Sequence, residues 1–106
     1  MNPDDKQIQE MVNEVDQIKK ILAQADIITW LAKLDNTIEL LKTGQYKKGA
    51  DQILNFYGYM GSIDDLIICP ANGHPVSEDQ GKELTKQLRE HSDRLLNLAN
   101  VASKGS

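Results

Sequence analysis

The sequence is short of cysteine, of long apolar runs and of excess positive charge, and each shortage excludes something. A single cysteine, Cys69, rules out an internal disulfide framework and suits a reducing compartment, so a cytoplasmic location is expected. The longest apolar stretch, Leu66 to Cys69, is far too short to cross a bilayer, and no membrane association is expected. The chain opens Met-Asn-Pro-Asp-Asp, without a basic segment or an apolar core, and is not expected to begin with a signal peptide. The formal net charge of -4 leaves no electrostatic drive toward nucleic acid or an anionic membrane, while permitting a basic protein partner.

The residues that are present make ordinary globular material. Apolar residues make up 40% and charged residues 26% of 106 residues, too apolar and too evenly charged for a disordered chain. This length fits one helical domain spanning residues 1–106 with a modest stability margin.

Apolar periodicity predicts helices throughout. A first helix is expected from Pro3 to Gln24, capped by Asn2, with Ile8, Met11, Val12, Val15, Ile18 and Leu22 on one stripe. A break is expected around Ala25 and Asp26, with Asp26 capping the second helix. The alternative is one helix from Pro3 to Lys42, about 40 residues or roughly 60 Å long. With the break, the second helix runs from Ile27 to Thr43, with Ile27, Leu31, Leu34, Ile38 and Leu41 at bundle-seam spacing and Gly44 as its terminator. A third covers Tyr46 to Phe56. Gly49 lowers its helix propensity by about 1 kcal/mol, for which a close helix contact would account.

The stretch from Tyr57 to Pro70 is irregular. Gly58 ends the third helix, and a short helical turn is expected from Ser62, placing Ile63, Leu66 and Ile67 in the core. The competing arrangement is a small hairpin pairing Leu66 to Cys69 with His74 to Val76 across Asn72-Gly73. The last helix begins at the Ser77 cap. Leu84, Leu88, His91, Leu95, Leu98 and Ala102 form its seam, with Val101 beside it. The sum is an all-α, up-and-down bundle of three to four main helices, with an irregular glycine-containing connection before the last helix.

That connection carries a resemblance. Tyr57-Gly58-Tyr59-Met60-Gly61-Ser62-Ile63-Asp64-Asp65-Leu66 is similar to a Tyr-Gly-Gly-Met-Gly-Ser-x-Asn-Asp-Leu segment. That segment marks a family of small, uncharacterised bacterial helical proteins, a domain of unknown function. Trp30 and the Leu40-Leu41-Gly44 group match the same pattern, and the likeness runs from Asp26 to Ile68. Tyr59 and Asp64 depart from it, replacing a glycine and an asparagine. The resemblance implies a helical fold and no catalytic residues.

Candidate chemistry is thin. Adjacent Asp64 and Asp65 diverge by about 100 degrees on a helix, so a metal or catalytic role needs an irregular turn. The plainer reading has Asp65 accepting backbone hydrogen bonds and Asp64 in water. Cys69, His74 and His91 are too few for a zinc site unless an aspartate completes the set. Ser62 has no base placed beside it, and Gly58-x-x-Gly61 lacks the lysine motif of a phosphate loop. Lys47 and Lys48 read as ordinary solvated surface.

No catalytic, cofactor-binding or metal-binding residue is therefore assigned, and no cofactor is expected. Trp30 and Tyr57 read as core. Tyr59, Met60, Ser62, Asp64 and Asp65 are the candidate contact residues. The leading expectation is a small acidic protein-interaction domain of immunity-like or regulatory kind, meeting a protein partner or a second copy of itself. A structural or self-associating helical module ranks second. A small metal-dependent or hydrolytic enzyme using Asp64 and Asp65 ranks last.

Overall fold

A computed structural model of the chain describes residues 5–58, 62–63 and 66–104. Among them are four α-helices: α1 (Asp5–Gln24), α2 (Leu31–Lys42), α3 (Tyr46–Leu54) and α4 (Glu78–Lys104). A 3-10 turn (Pro70–Asn72) lies before α4. The fold is all-α, as the periodicity predicts.

The stripe of α1 is buried as expected, joined by Ile21, while Asn2 and Pro3 lie outside the described residues. The helix stops at Gln24 because the chain turns back on itself through hydrogen bonds. Ile27 N–H donates to the Leu22 carbonyl at 2.9 Å, and Asp26 N–H donates to the Ala23 carbonyl at 3.1 Å. Those are the two bonds of a Schellman terminator. Asp26 sits at its left-handed position with φ 57. Asp26 therefore ends the helix before it and does not cap the helix after it, and the single long helix is excluded. This overshoot consumes Ile27 to Trp30, so α2 begins at Leu31, four residues later than periodicity suggests.

Trp30 anchors the turn. Its ring is buried and meets Phe56 edge-on at 5.3 Å, with the Lys33 ammonium 4.9 Å from its centroid. Within α2, Leu34, Leu40 and Leu41 are buried, while Leu31 and Ile38 reach the core only partly. Thr37 is fully buried, its hydroxyl set between the Lys33 carbonyl and the Gln52 side-chain amide. Gly44 then turns the chain, and Gln45 N–H closes onto the Leu40 carbonyl at 2.9 Å. Gly49 lies under α2, where a methyl group would stand 2.8 Å from Leu41 Cδ2. The close helix contact is real. The third helix ends at Leu54, two residues short of expectation, because Phe56 and Tyr57 donate to carbonyls three residues back.

Ser77 caps α4, its Oγ accepting from Gln80 N–H at 3.1 Å. This helix is about 40 Å long at 1.5 Å per residue. α1 and α3 each lie against α4, and α2 bridges α1 and α3, so the ring closes as an up-and-down bundle. One core cluster draws on all four helices. Val101 points outward, 55% exposed.

Polar contacts fix the helix order. Lys19 Nζ meets Asp35 at 2.5 Å between α1 and α2. The hydrogen bond that Lys19 donates to the Asp35 carboxylate holds the Lys19 pKa above its ordinary 10.5. This exposed pair's small contribution is thus present at neutral pH and fades only as pH climbs through that raised value. Ser103 Oγ donates to Asp51 between α4 and α3, and Tyr57 Oη donates to the Ser92 carbonyl at 2.8 Å.

The connection into α4 begins as expected, with Ile63 in 3-10 helix directly after Ser62, and departs from expectation further on, residues 64 and 65 lying outside the described residues. Residues 66–69 are neither helical nor paired as a strand. Ile63 is buried as expected, but Ile67 is 53% exposed and Ile68 takes the core position. A further 3-10 turn follows at Pro70–Asn72, and left-handed Gly73 closes it.

Candidate functional site

The site begins with two small residues on α4. A methyl group on Gly81 would stand 2.5 Å from the Ile68 carbonyl oxygen and 3.2 Å from Cys69 Cα. Only glycine lets the incoming chain lie this close to the helix. One turn further on, the buried Thr85 hydroxyl accepts from Ile68 N–H at 2.9 Å and donates to the Ile68 carbonyl at 3.3 Å. One side chain thus satisfies both backbone groups of Ile68, as a neighbouring strand would. The chain is extended here, so successive side chains point to opposite sides. With Ile68 facing the core, Ile67 must face out.

The rest of the segment is equally tied. Asn72 Nδ2 donates to the Ile67 carbonyl at 3.0 Å. Cys69 N–H donates to His74 Nδ1 at 3.1 Å, which occupies that ring nitrogen. Cys69 and His74 do come together, but through backbone hydrogen bonding. Among the described residues no three His, Cys, Asp or Glu side chains group as a metal site.

Between this segment and α4 lies an open groove of about 570 Å³. Ile67, Ile68 and Cys69 form one wall. Lys82, Thr85, Lys86 and Arg89 form the other, with Glu90 and Asp93 at its far end. Lys82, Lys86 and Arg89 recur at i, i+4 and i+7, which places them along one face of α4. All three are exposed, and none takes part in an ion pair among the described residues. Cys69 is a half-buried free thiol.

A second hollow of about 420 Å³ lies between α1 and α4, lined by Glu10, Glu14, Arg94, Asn97 and Leu98. Two of its charges, Glu14 and Arg94, are committed to each other. Glu14 is largely buried; its Oε2 lies 2.5 Å from His91 Nδ1, and its Oε1 accepts from Arg94 Nε at 3.1 Å. Arg94 Nη2 also lies 2.9 Å from His91 Nδ1. With its proton on Nδ1, His91 donates to Glu14, so the imidazole and the Arg94 guanidinium converge on one carboxylate. The cluster ties α1 to α4.

Of the residues singled out from sequence, Tyr59, Met60, Asp64 and Asp65 lie outside the described residues. Ser62 is described and buried. Trp30 is core, Tyr57 is packed against it, and His91 is a hydrogen-bonded boundary residue. Sequence reading missed Gly81, Thr85, the Lys82–Lys86–Arg89 face and Glu14. A glycine four residues before a threonine inside a helix was the available signal for the first two. The i, i+4, i+7 basic spacing was the signal for the third.

No helix among the described residues is long and apolar enough to cross a membrane. In comparison with known proteins, a family model described as Domain of unknown function (DUF6966) matches residues 23–77, just over half of the chain. No curated protein and no solved structure matches. The matched region takes in the end of α1, all of α2 and α3, and the connection up to the α4 cap. One wall of the groove lies inside it and the α4 wall lies outside.

Proposed function

The chain belongs to the DUF6966 family of domains of unknown function, and we propose that it acts as a small non-enzymatic protein-interaction domain of regulatory or immunity-like kind. One observation carries this reading: the groove beside α4 sets three cations, unpaired among the described residues, opposite an exposed isoleucine. Exposed apolar surface next to uncommitted charge is the composition of a recognition surface, where apolar contact supplies affinity and charge supplies partner choice. The walls are also rigid. Thr85 and Gly81 hold one to the other, so little ordering cost is left for binding. Tyr59, Met60, Asp64 and Asp65 precede this wall in the sequence, and we propose them as further contact residues. A reducing compartment such as the cytoplasm suits the free thiol of Cys69.

The test uses the full chain as bait, with Lys86→Glu as the matched control. A native partner should be captured by the wild type and lost from the variant, with helicity unchanged in both. Cys69, the only cysteine, should label with maleimide more slowly in the complex. A partner that the variant retains, with Cys69 labelled at the free rate, would place recognition elsewhere and defeat the proposal.

A further inference from the structure

We infer that the groove takes a short acidic segment of another protein, with one apolar residue seated against Ile67 and flanking carboxylates on Lys82, Lys86 and Arg89. The inference rests on the protein-interaction reading and names the chemistry of the partner. Although the chain as a whole is acidic, with a net charge of -4, this face is not. Its three cations lie in the groove wall, and none is within ion-pair distance of a described carboxylate, although Glu90 and Asp93 line the same groove. That contrasts with Arg94 one turn beyond Arg89, which is bound to Glu14. Carboxylates placed along the stripe would supply the missing counter-charges at the spacing of the helix turns.

Length and polarity narrow the occupant. From Lys82 to Asp93 the groove runs eleven residues of helix, about 16 Å. An extended peptide covers that distance in about five residues. Glu90 and Asp93 stand at the far end. They repel a ligand that is negative along its whole length, as a polynucleotide is, and they accept one whose charge stops or reverses there. The fit is therefore to a peptide that is acidic over the Lys82–Arg89 portion and basic or neutral beyond it. Ile67, 53% exposed, meets its apolar residue.

The experiment is selection of displayed random seven-residue peptides against the full chain, followed by titration of synthetic versions of the winners. Enriched peptides should carry at least two Asp or Glu around one apolar residue. Their affinity should fall at least tenfold in Lys82→Glu/Lys86→Glu, less in Lys82→Gln/Lys86→Gln, and steadily with added salt. Circular dichroism of both variants reports that the fold is kept. No enrichment, enrichment without acidic residues, or winners indifferent to the charge reversals would overturn the inference. So would a single-stranded oligonucleotide that displaces the winners at equal or lower concentration. The parent reading fails on a separate result, a native partner held equally well by the Lys86→Glu bait.

Discussion

The two halves of α4 make contact with the rest of the molecule in opposite ways. The C-terminal half packs against other helices through side chains: Leu95, Ala99 and Ala102 enter the core, and Arg94 and His91 close on Glu14. The N-terminal half also buries Leu84 and Leu88 in the core, but on another side it receives a piece of extended backbone. There a missing side chain at Gly81 and a short one at Thr85 make the contact possible. The charges follow the same division. Those of the C-terminal half hold α1 to α4, whereas Lys82, Lys86 and Arg89 of the N-terminal half pair with no described residue. One helix thus has an end whose charges tie helices together and an end whose charges form no ion pair among the described residues.

The contrast predicts opposite sensitivities. In the C-terminal half, removing atoms does the damage. Leu95→Ala should cost about 2–5 kcal/mol in chemical denaturation, the range for emptying a fully buried leucine site. In the N-terminal half, adding a single methyl does it. Gly81→Ala gains about 1 kcal/mol of helix propensity, yet a Cβ 2.5 Å from the Ile68 oxygen must push the segment away. A net loss of about 1–3 kcal/mol is expected from such overpacking. The Ile68 amide should lose its hydrogen-exchange protection before the helices do. A stabilised Gly81→Ala protein would contradict this division of the helix outright.

Thr85→Val probes the same contact without changing volume. It leaves both the N–H and the carbonyl of Ile68 buried and unpaired, and should cost about 1–3 kcal/mol. Thr85→Ser, which keeps the hydroxyl, should recover most of that loss. In the other half, Glu14→Gln keeps the shape and removes the charge on which His91 and Arg94 converge. The cluster is partly open to solvent, so a loss of about 1 kcal/mol is expected. The exchange of α1 amides near Glu14 reads that loss out locally.

How much of this was legible in the sequence depends on range. The stripe of α1, the Gly44 stop and the Ser77 cap are local signals, and each stands where periodicity puts it. The end of α1 misleads because aspartate serves both as a helix cap and as a residue tolerant of left-handed backbone. Only the bonds back to Leu22 and Ala23 show which role Asp26 plays. The swap of Ile67 for Ile68 could not be read locally at all. In an extended run, parity decides which side chain is buried, and parity here is set by Thr85, seventeen residues away. The Glu14 cluster is further out of reach, joining residues 77 positions apart. The groove combines both problems, since one wall is irregular chain and the other is the helix that comes after it.

The smallest expected effect separates the two halves of α4 most cleanly. Replacing Lys82, Lys86 and Arg89 together with glutamine removes three charges from an 11.9 kDa chain. If these cations contributed to cohesion as Arg94 does, losses would accumulate with each replacement. Because none is paired among the described residues, the summed change in unfolding free energy should stay within about 0.5 kcal/mol, the range for surface positions with no specific partner. Repulsion between Lys82 and Lys86 is relieved while the weak i,i+4 attractions of Glu78 with Lys82, Lys86 with Glu90 and Arg89 with Asp93 are lost, so these small terms largely offset one another. The measurement is the denaturation midpoint of the triple variant beside Glu14→Gln. A clear loss in the triple variant would mean that the N-terminal half uses its charge to hold its own fold. No loss there, beside a clear loss at Glu14, leaves the charge of that half without a structural use, and binding is then the function that accounts for it.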